Sequence, residues 1–262
     1  MPPLITLTTD FGLADPFAGI MKGVILRIAP SATIVDLTHE IQPQNIMQAA
    51  QVLGAAHPYF PPATIHVVVV DPGVGSARRP IVVKSRAGLF VGPDNGVLTP
   101  GIRAGCKIYE INRGRYFLPS PSTTFHGRDM FAPVAAWLAR RTPPGRMGRR
   151  ITDPATLAMP EARLTNGAIT GQIIYIDRFG NLMTNISADF LKKTFADWKQ
   201  LKVKATAKYT LSLVDHYAAV GPGHLGALIN SWDRLEIFSR GGCAAKQLRL
   251  GIDSPVVVKG ST

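Results

Sequence analysis

Residues 67–80 read VVVVDPGVGSARRP. The acid Asp71 follows four valines, a run apolar enough to be covered on both faces, and the permanent cations Arg78 and Arg79 come shortly after it. A carboxylate and a guanidinium so spaced can meet across a loop. Gly73 and Gly75 allow that loop to turn sharply and let backbone approach a ligand. Such a pair could orient and polarise a bound group, or could only tie down its own loop. A second polar cluster, STTFHGRDMFAP (122–133), gathers His126, Arg128 and Asp129 around a glycine just before an apolar helical run. Histidine titrates near neutral pH, so His126 beside an acid and a cation could accept or relay a proton. Two further clusters lie later in the chain, YIDRFGNLMTN (175–185) and INSWDRLEIFSRGGCAA (229–245).

Two lookalike motifs fail. In GVGSAR, Arg78 stands where a dinucleotide fingerprint needs its third glycine, and this loop does not close on a lysine followed by serine or threonine as a P-loop requires. Asp10-Phe11-Gly12 spells a kinase tripeptide near the N-terminus, without the other kinase motifs.

The elements that must position these clusters fall into two groups. In the first half, strands and helices alternate. LITLTTD (4–10), TIVDLTH (33–39) and IHVVVV (65–70) read as strands, with PIVVKS and GLFVG as a following pair. Asp15 and Pro16 predict an N-cap and a first helical residue. Phe17, Ile20, Met21, Val24, Ile25 and Ile28 follow at helical spacing until Pro30. Ile46, Ala49, Ala50 and Leu53 predict a second helix, and Asp129 to Arg141 a third. This alternation predicts an α/β layer with a mostly parallel sheet. Ligands of such sheets bind beyond the carboxyl ends of the strands, where Asp10, Thr38-His39-Glu40 and Asp71 fall.

After about residue 160, short strands separated by turns take over: TGQIIYID, NLMTNI, LKVKATAKYTLSLV, RLEIF and QLRLGI. Only SADFLKKTFADW (187–198) reads as a helix. The expected organisation is an α/β domain over 1–160 and a smaller β-rich, barrel-like domain over 161–262.

Composition narrows the function classes. No apolar run approaches the roughly 18 residues of a membrane helix, and MPPLITLTTDFG does not read as a signal peptide. The two cysteines, Cys106 and Cys243, are far apart, which suits a reducing cytoplasm and excludes a cysteine-built zinc site. No metal is expected. The net charge is +12, with arginines concentrated in LARRTPPGRMGRR (138–150) at positions 140, 141, 146, 149 and 150. Without interleaved aromatics, that segment reads as a solvated basic surface, and nucleic acid is not an expected partner.

Taken in order, TTDFG (8–12), VDPGVGSARR (70–79), TFHGRD (124–129) and IDRFGN (176–181) resemble the S-adenosylmethionine hydroxide adenosyltransferases, hydrolases related to fluorinating and chlorinating enzymes. The resemblance spans nearly the whole chain. It implies an α/β N-terminal and a β-rich C-terminal domain, and homotrimers with sites between the N-terminal domain of one subunit and the C-terminal domain of the next. The implied reaction is attack of water, as hydroxide, on ribose C5′ of S-adenosyl-L-methionine. Adenosine and L-methionine are released, with no cofactor. The resemblance assigns water activation to Asp71, Arg78 and His126, and leaves open whether Asp71 or His126 takes the proton. It assigns the ribose hydroxyls to Asp10 and adenine to Phe179 and Asn181, with backbone around Ser239 to Gly241. The methionine ammonium falls to Asp177 and its carboxylate to Ser231.

Other readings compete. DRFGN could be a turn held by Asx bonds, and Asp94-Asn95-Gly96 reads as a turn. His39 and Arg79 carry no expected role beyond solvation or loop anchoring. A halide-using enzyme of the same fold is the nearest functional rival, although the halogenating relatives carry tyrosine at the position of Asp71. A protein that binds adenosine or S-adenosylmethionine without turnover is the other.

Overall fold

The valines of the opening stretch are buried on alternate faces of a sheet, as their unbroken apolar character requires. Val67 and Val69 face one core, packed with Ile5, Leu7, Met21, Ile25 and Phe131. Val68 and Val70 face another, packed with Leu53, Ile81, Val83 and Phe90. The computed structural model describes residues 2–260. These divide into two units between Leu157 and Ala158.

In the N-terminal unit, β1 (Leu4–Thr9), β2 (Thr33–Thr38), β3 (Ile65–Val69), β4 (Pro80–Ser85), β5 (Gly88–Pro93), β6 (Lys107–Glu110) and β7 (Arg150–Ile151) form one sheet in the order β2-β1-β3-β5-β4-β6-β7. β2, β1, β3 and β5 pair in parallel. β4 is antiparallel to both β5 and β6, so β6 regains the common direction, and the sheet is mostly parallel. Helices α1 (Phe17–Ile28), α2 (Ile46–Ala56) and α3 (Ala132–Ala139) cover its faces. Two sequence expectations need correction here. α1 begins one residue late: Pro16 takes the cap position and supplies its carbonyl to Ile20, and no side chain caps the helix, so Asp15 does not. The third helix opens with a widened, π-helical turn, Gly127–Phe131, and α3 proper ends at Ala139.

His39 and Arg79 are structural anchors. His39 is buried, with Nδ1 2.8 Å from Thr9 Oγ1 and Nε2 3.1 Å from Asp36. Arg79 bridges Asp94 and Asp153, which fixes the predicted 94–96 turn.

A buried imidazole in β3 makes this unit acid-sensitive. His66 is fully buried, with Nδ1 2.8 Å from Thr6 Oγ1 and its ring stacked 5.0 Å from Phe90. Burial, with His57 beside it, drives its pKa down to about 4. The fold therefore holds the neutral form. The resulting stability is present above the ordinary histidine pKa of about 6.5 and is lost as pH falls toward 4, in all about 3 kcal/mol. Urea unfolding at pH 7 and pH 4.5 tests this. The stability lost between the two should be about 2–3 kcal/mol smaller in Thr6→Val/His66→Phe than in the unaltered protein; equal losses would refute it.

The C-terminal unit contains β8 (Arg163–Thr165), β9 (Ala168–Ile176), β10 (Leu182–Ser187), β11 (Lys202–Lys204), β12 (Thr210–Ser212), β13 (Leu225–Ile229), β14 (Arg234–Ser239) and β15 (Pro255–Lys259). They form an antiparallel sheet in the order β12-β11-β15-β9-β10-β14-β13, with β8 on β9. A bridge from Leu213 to Ala227 brings the two edges together and nearly closes a barrel around Ile173, Ile186, Leu235, Ile237 and Val258. Helix α4 (Ala188–Thr194) is capped by Ser187, whose hydroxyl accepts from the Phe190 N–H at 3.1 Å. It stops well short of the predicted residue 198, because Phe195 turns extended and packs on the barrel core. QLRLGI is not a strand. Gln247 and Leu248 end a short helix, α5 (Ala244–Leu248), and Arg249 leaves it in the left-handed region. The last strand is formed instead by PVVVK.

Candidate active site

Each unit carries a cleft, and the candidate residues divide between them. In the N-terminal unit, strand parity sets Val69 and Asp71 on the same side, and both line a cleft of about 220 Å³. The loop after Asp71 closes through the Val74 N–H on the Asp71 carbonyl and the Ser76 N–H on the Gly73 carbonyl, both at 3.1 Å. Gly75 is the glycine this loop requires. Its φ is +79°, and a Cβ there would enter the Thr123 carbonyl oxygen. The loop thereby lies flat against the segment that delivers His126. Gly73 has no such constraint.

The returning loop lays Arg78 over Asp71. Nε donates to Oδ1 at 2.8 Å and Nη2 donates to Oδ2. The same Nη2 donates to His126 Nδ1 at 2.7 Å. The guanidinium also stands over the Phe131 ring, 5.3 Å from its centre. The pair is buried, with side-chain exposures of 6 % for Asp71 and 9 % for Arg78. A guanidinium has donors only, so Nδ1 must accept and the imidazole is neutral with its hydrogen on Nε2. Burial and then the charge of Arg78 hold the His126 pKa below its ordinary value, against an upward pull from Asp71, from Asp129 and from a hydrogen bond to the Ser122 backbone. Arg78 does not line the cleft; it stands behind Asp71 and His126, which do. Its Nη1 is buried and has no hydrogen-bond acceptor among the described residues.

Arg128 and Asp129 hold the His126 segment. Arg128 Nε donates to Asp129 Oδ1 at 2.6 Å, and the Ser122 N–H donates to Oδ2 at 2.8 Å. Asp10 lines the cleft at the end of β1, where its Oδ2 accepts the Gln44 N–H at 2.8 Å. Phe11 and Phe125 complete an aromatic wall that continues edge-on into Phe17.

In the C-terminal unit, a cleft of about 540 Å³ is lined by Asp177, Phe179, Asn181, Tyr217 and the run Ser239 to Gly242. The Asx turn is real: Asp177 Oδ1 accepts the N–H groups of Phe179 at 2.9 Å and Asn181 at 2.8 Å, and Oδ2 accepts Asn181 Nδ2 at 2.9 Å. The turn and the cleft are one structure, since a carboxylate has lone pairs left after three bonds. Phe179 stands at the rim, 76 % exposed. Ser239 is buried, and its hydroxyl has no partner among the described residues. Gly241 takes a positive φ beside it. Ser231 lies apart from this lining, exposed on the turn between β13 and β14. Tyr217 escaped the sequence reading because it belongs to no motif; its loop is irregular and only the fold brings it here.

Comparison with known proteins shows the family. The family model described as SAM hydroxide adenosyltransferase N-terminal domain matches residues 5–148, and that of the C-terminal domain matches residues 171–257. An (R)-S-adenosyl-L-methionine hydrolase of Salinispora tropica is 36 % identical over 94 % of each chain. One from Methanocaldococcus jannaschii is 41 % identical over 77 % of this chain and 73 % of its own. A fluorinase of Actinoplanes sp. is more distant, 28 % identical over 84 % of each. The crystal structure of an uncharacterized conserved protein from Thermotoga maritima superposes with a TM-score of 0.90 at 38 % identity, covering 97 % of this chain and 99 % of its own.

Proposed function

This chain belongs to the SAM hydroxide adenosyltransferase family, and from that premise we propose that it hydrolyses S-adenosyl-L-methionine to adenosine and L-methionine. Water attacks ribose C5′ as hydroxide. The C5′–O bond forms as the C5′–S bond breaks, and its electron pair returns to sulfur as a neutral thioether. The leaving group therefore needs no general acid. The demand falls on the nucleophile, because bulk water has a pKa of about 15.7.

One observation carries the assignment: Arg78 clamps Asp71 and His126 together at the edge of a cleft. The fixed cation behind Asp71 and His126 favours hydroxide over water once the proton has left. His126, held neutral and in place by Arg78 and the Ser122 backbone, helps to orient the nucleophile. That leaves Asp71 to take the proton and pass it to solvent. Asp10 would hold the ribose hydroxyls, Phe179 and Asn181 with the Ser239–Gly241 backbone the adenine, and Asp177 the ammonium; Ser231, outside the cleft lining, has the carboxylate on the resemblance alone. S-adenosyl-L-methionine is the substrate, and the reaction so written calls for no cofactor.

A homotrimer in the cytoplasm belongs to the same proposal. Exposed Phe17, edge-on to the Phe11 and Phe125 that line the Asp71 cleft, and Phe179 at the rim of the other, suit cover by another subunit. The two cysteines are free, and among the described residues no helix is long and apolar enough to cross a membrane.

The test is incubation with S-adenosyl-L-methionine in the presence and absence of chloride and fluoride, with products identified by mass. Adenosine and methionine are expected in all cases; 5′-halo-adenosine would move the assignment to the halogenating relatives. Gly75→Ala should lower kcat/KM for this hydrolysis about a hundredfold, because an ångström of misplacement costs about that much. A variant as active as the unaltered protein would show that the loop's fit against Thr123 does not position Arg78.

A further inference from the structure

One wall of the larger cleft is built by a segment without motifs. Between β12 and β13 the chain passes over the barrel edge and places Tyr217 on the lining. Two side chains at β14 hold this segment from behind. Arg240 donates through Nη1 to the carbonyls of Ala218 at 3.3 Å and Val220 at 2.8 Å. Glu236, 3 % exposed, accepts the Tyr217 hydroxyl on Oε1 at 2.8 Å and Asn230 Nδ2 on Oε2 at 2.8 Å. Asn230 in turn accepts the N–H of Trp232 at 2.9 Å and shapes the turn that bears Ser231. The Tyr217 ring rests edge-on against buried Phe238, 4.9 Å between centres.

A carboxylate buried here is costly, and neither of its partners cancels its charge. The charged group that acts on it is Asp177, of the same sign, and burial together with Asp177 pushes the Glu236 pKa up. Burial, Glu236 and Asp177 drive Tyr217 to about 12, so the phenol keeps its hydrogen and donates. At this cleft two carboxylates, Asp177 and Glu236, stand against one guanidinium, Arg240, whose Nη1 is committed to backbone carbonyls, so the balance is negative in a chain of net charge +12. S-adenosyl-L-methionine carries a sulfonium, an ammonium and a carboxylate, hence a net positive charge. Both products are neutral overall.

We propose that Glu236 is a positioning residue of this cleft, which sets Tyr217 against the nucleoside and biases the cleft toward the cationic substrate over its neutral products. The proposal rests on the hydrolase reading and deepens it. The experiment combines adenosine affinity by calorimetry, which needs no turnover, with KM and kcat for S-adenosyl-L-methionine and with thermal melting. Glu236→Gln should raise KM about tenfold, with kcat within threefold and adenosine affinity within threefold. Tyr217→Phe, which removes one oxygen from a half-exposed ring, should weaken adenosine about fivefold and should fold regardless. A shared structural role alone would lower the melting temperature without separating KM from adenosine affinity, and that result overturns the proposal. So does adenosine affinity unchanged in Tyr217→Phe. If the hydrolase reading itself fails, no variant releases methionine, the unaltered protein included, while the adenosine arm still reports on Tyr217.

Discussion

Arg78→Ala should lower kcat/KM for S-adenosyl-L-methionine by about a thousandfold or more, while adenosine affinity stays within about threefold. The magnitude follows from what the residue does. Removing one preorganised electrostatic donor from a closed site typically costs a hundred- to a thousandfold. Here the same residue also orients two other members of the site. Its loss further leaves Asp71 buried without a counter-charge, which costs stability of about 3–5 kcal/mol. A folding defect must therefore be separated from a chemical one. Arg78→Lys does so: it keeps the cation, but a single ammonium cannot span Oδ1, Oδ2 and Nδ1 in a planar fork. We expect it to melt near the unaltered protein and still lose about a hundredfold in kcat. Single-turnover measurement of methionine release on both variants is the check. A loss smaller than tenfold in Arg78→Ala would remove the guanidinium from the mechanism.

Asp177→Asn should raise KM about 30- to 100-fold and leave adenosine affinity nearly unchanged. Asparagine retains an oxygen for the N–H groups of Phe179 and Asn181, and Asn181 can flip its amide to meet the new one. The turn survives and only the charge disappears. A charge-assisted hydrogen bond to a cationic group is worth about 1.5–3 kcal/mol, which sets the range. Isothermal titration with adenosine, beside steady-state kinetics, separates the turn from the charge. If both ligands weaken together, Asp177 serves the turn alone.

What was legible in the sequence follows from how local each signal is. The valine run showed its two-sided burial, because only a strand covered on both faces tolerates it, and Asp71 had to stand at its end. That an arginine could fold back over Asp71 was readable from spacing and glycines, although not which of Arg78 and Arg79, which the resemblance supplied, and Gly75 alone is required by the backbone. The convergence of His126 was not readable from spacing, since it lies 48 positions away and is delivered by the turn that starts α3; its motif pointed to it instead. Failures cluster where tertiary packing overrode local pattern. Pro16 displaced Asp15 from the cap, Phe195 left its helix for the barrel core, and QLRLGI alternated like a strand yet finished a helix. Tyr217 and Glu236 carry no local signal, because each matters only through the other.

The clamp described above is electrically balanced. Asp71 cancels Arg78, and His126 remains neutral because its Nδ1 is committed to the guanidinium. On the proposed mechanism, an anion drawn toward so basic a surface meets no residual attraction while Asp71 is ionised and must approach a carboxylate; only when Asp71 has taken the proton is the guanidinium left uncancelled, and it then favours the hydroxide just formed. Solvent faces no such repulsion. On that proposal, selectivity for the poorest nucleophile in the cell would come from making the better ones unwelcome, and it should persist as salt rises.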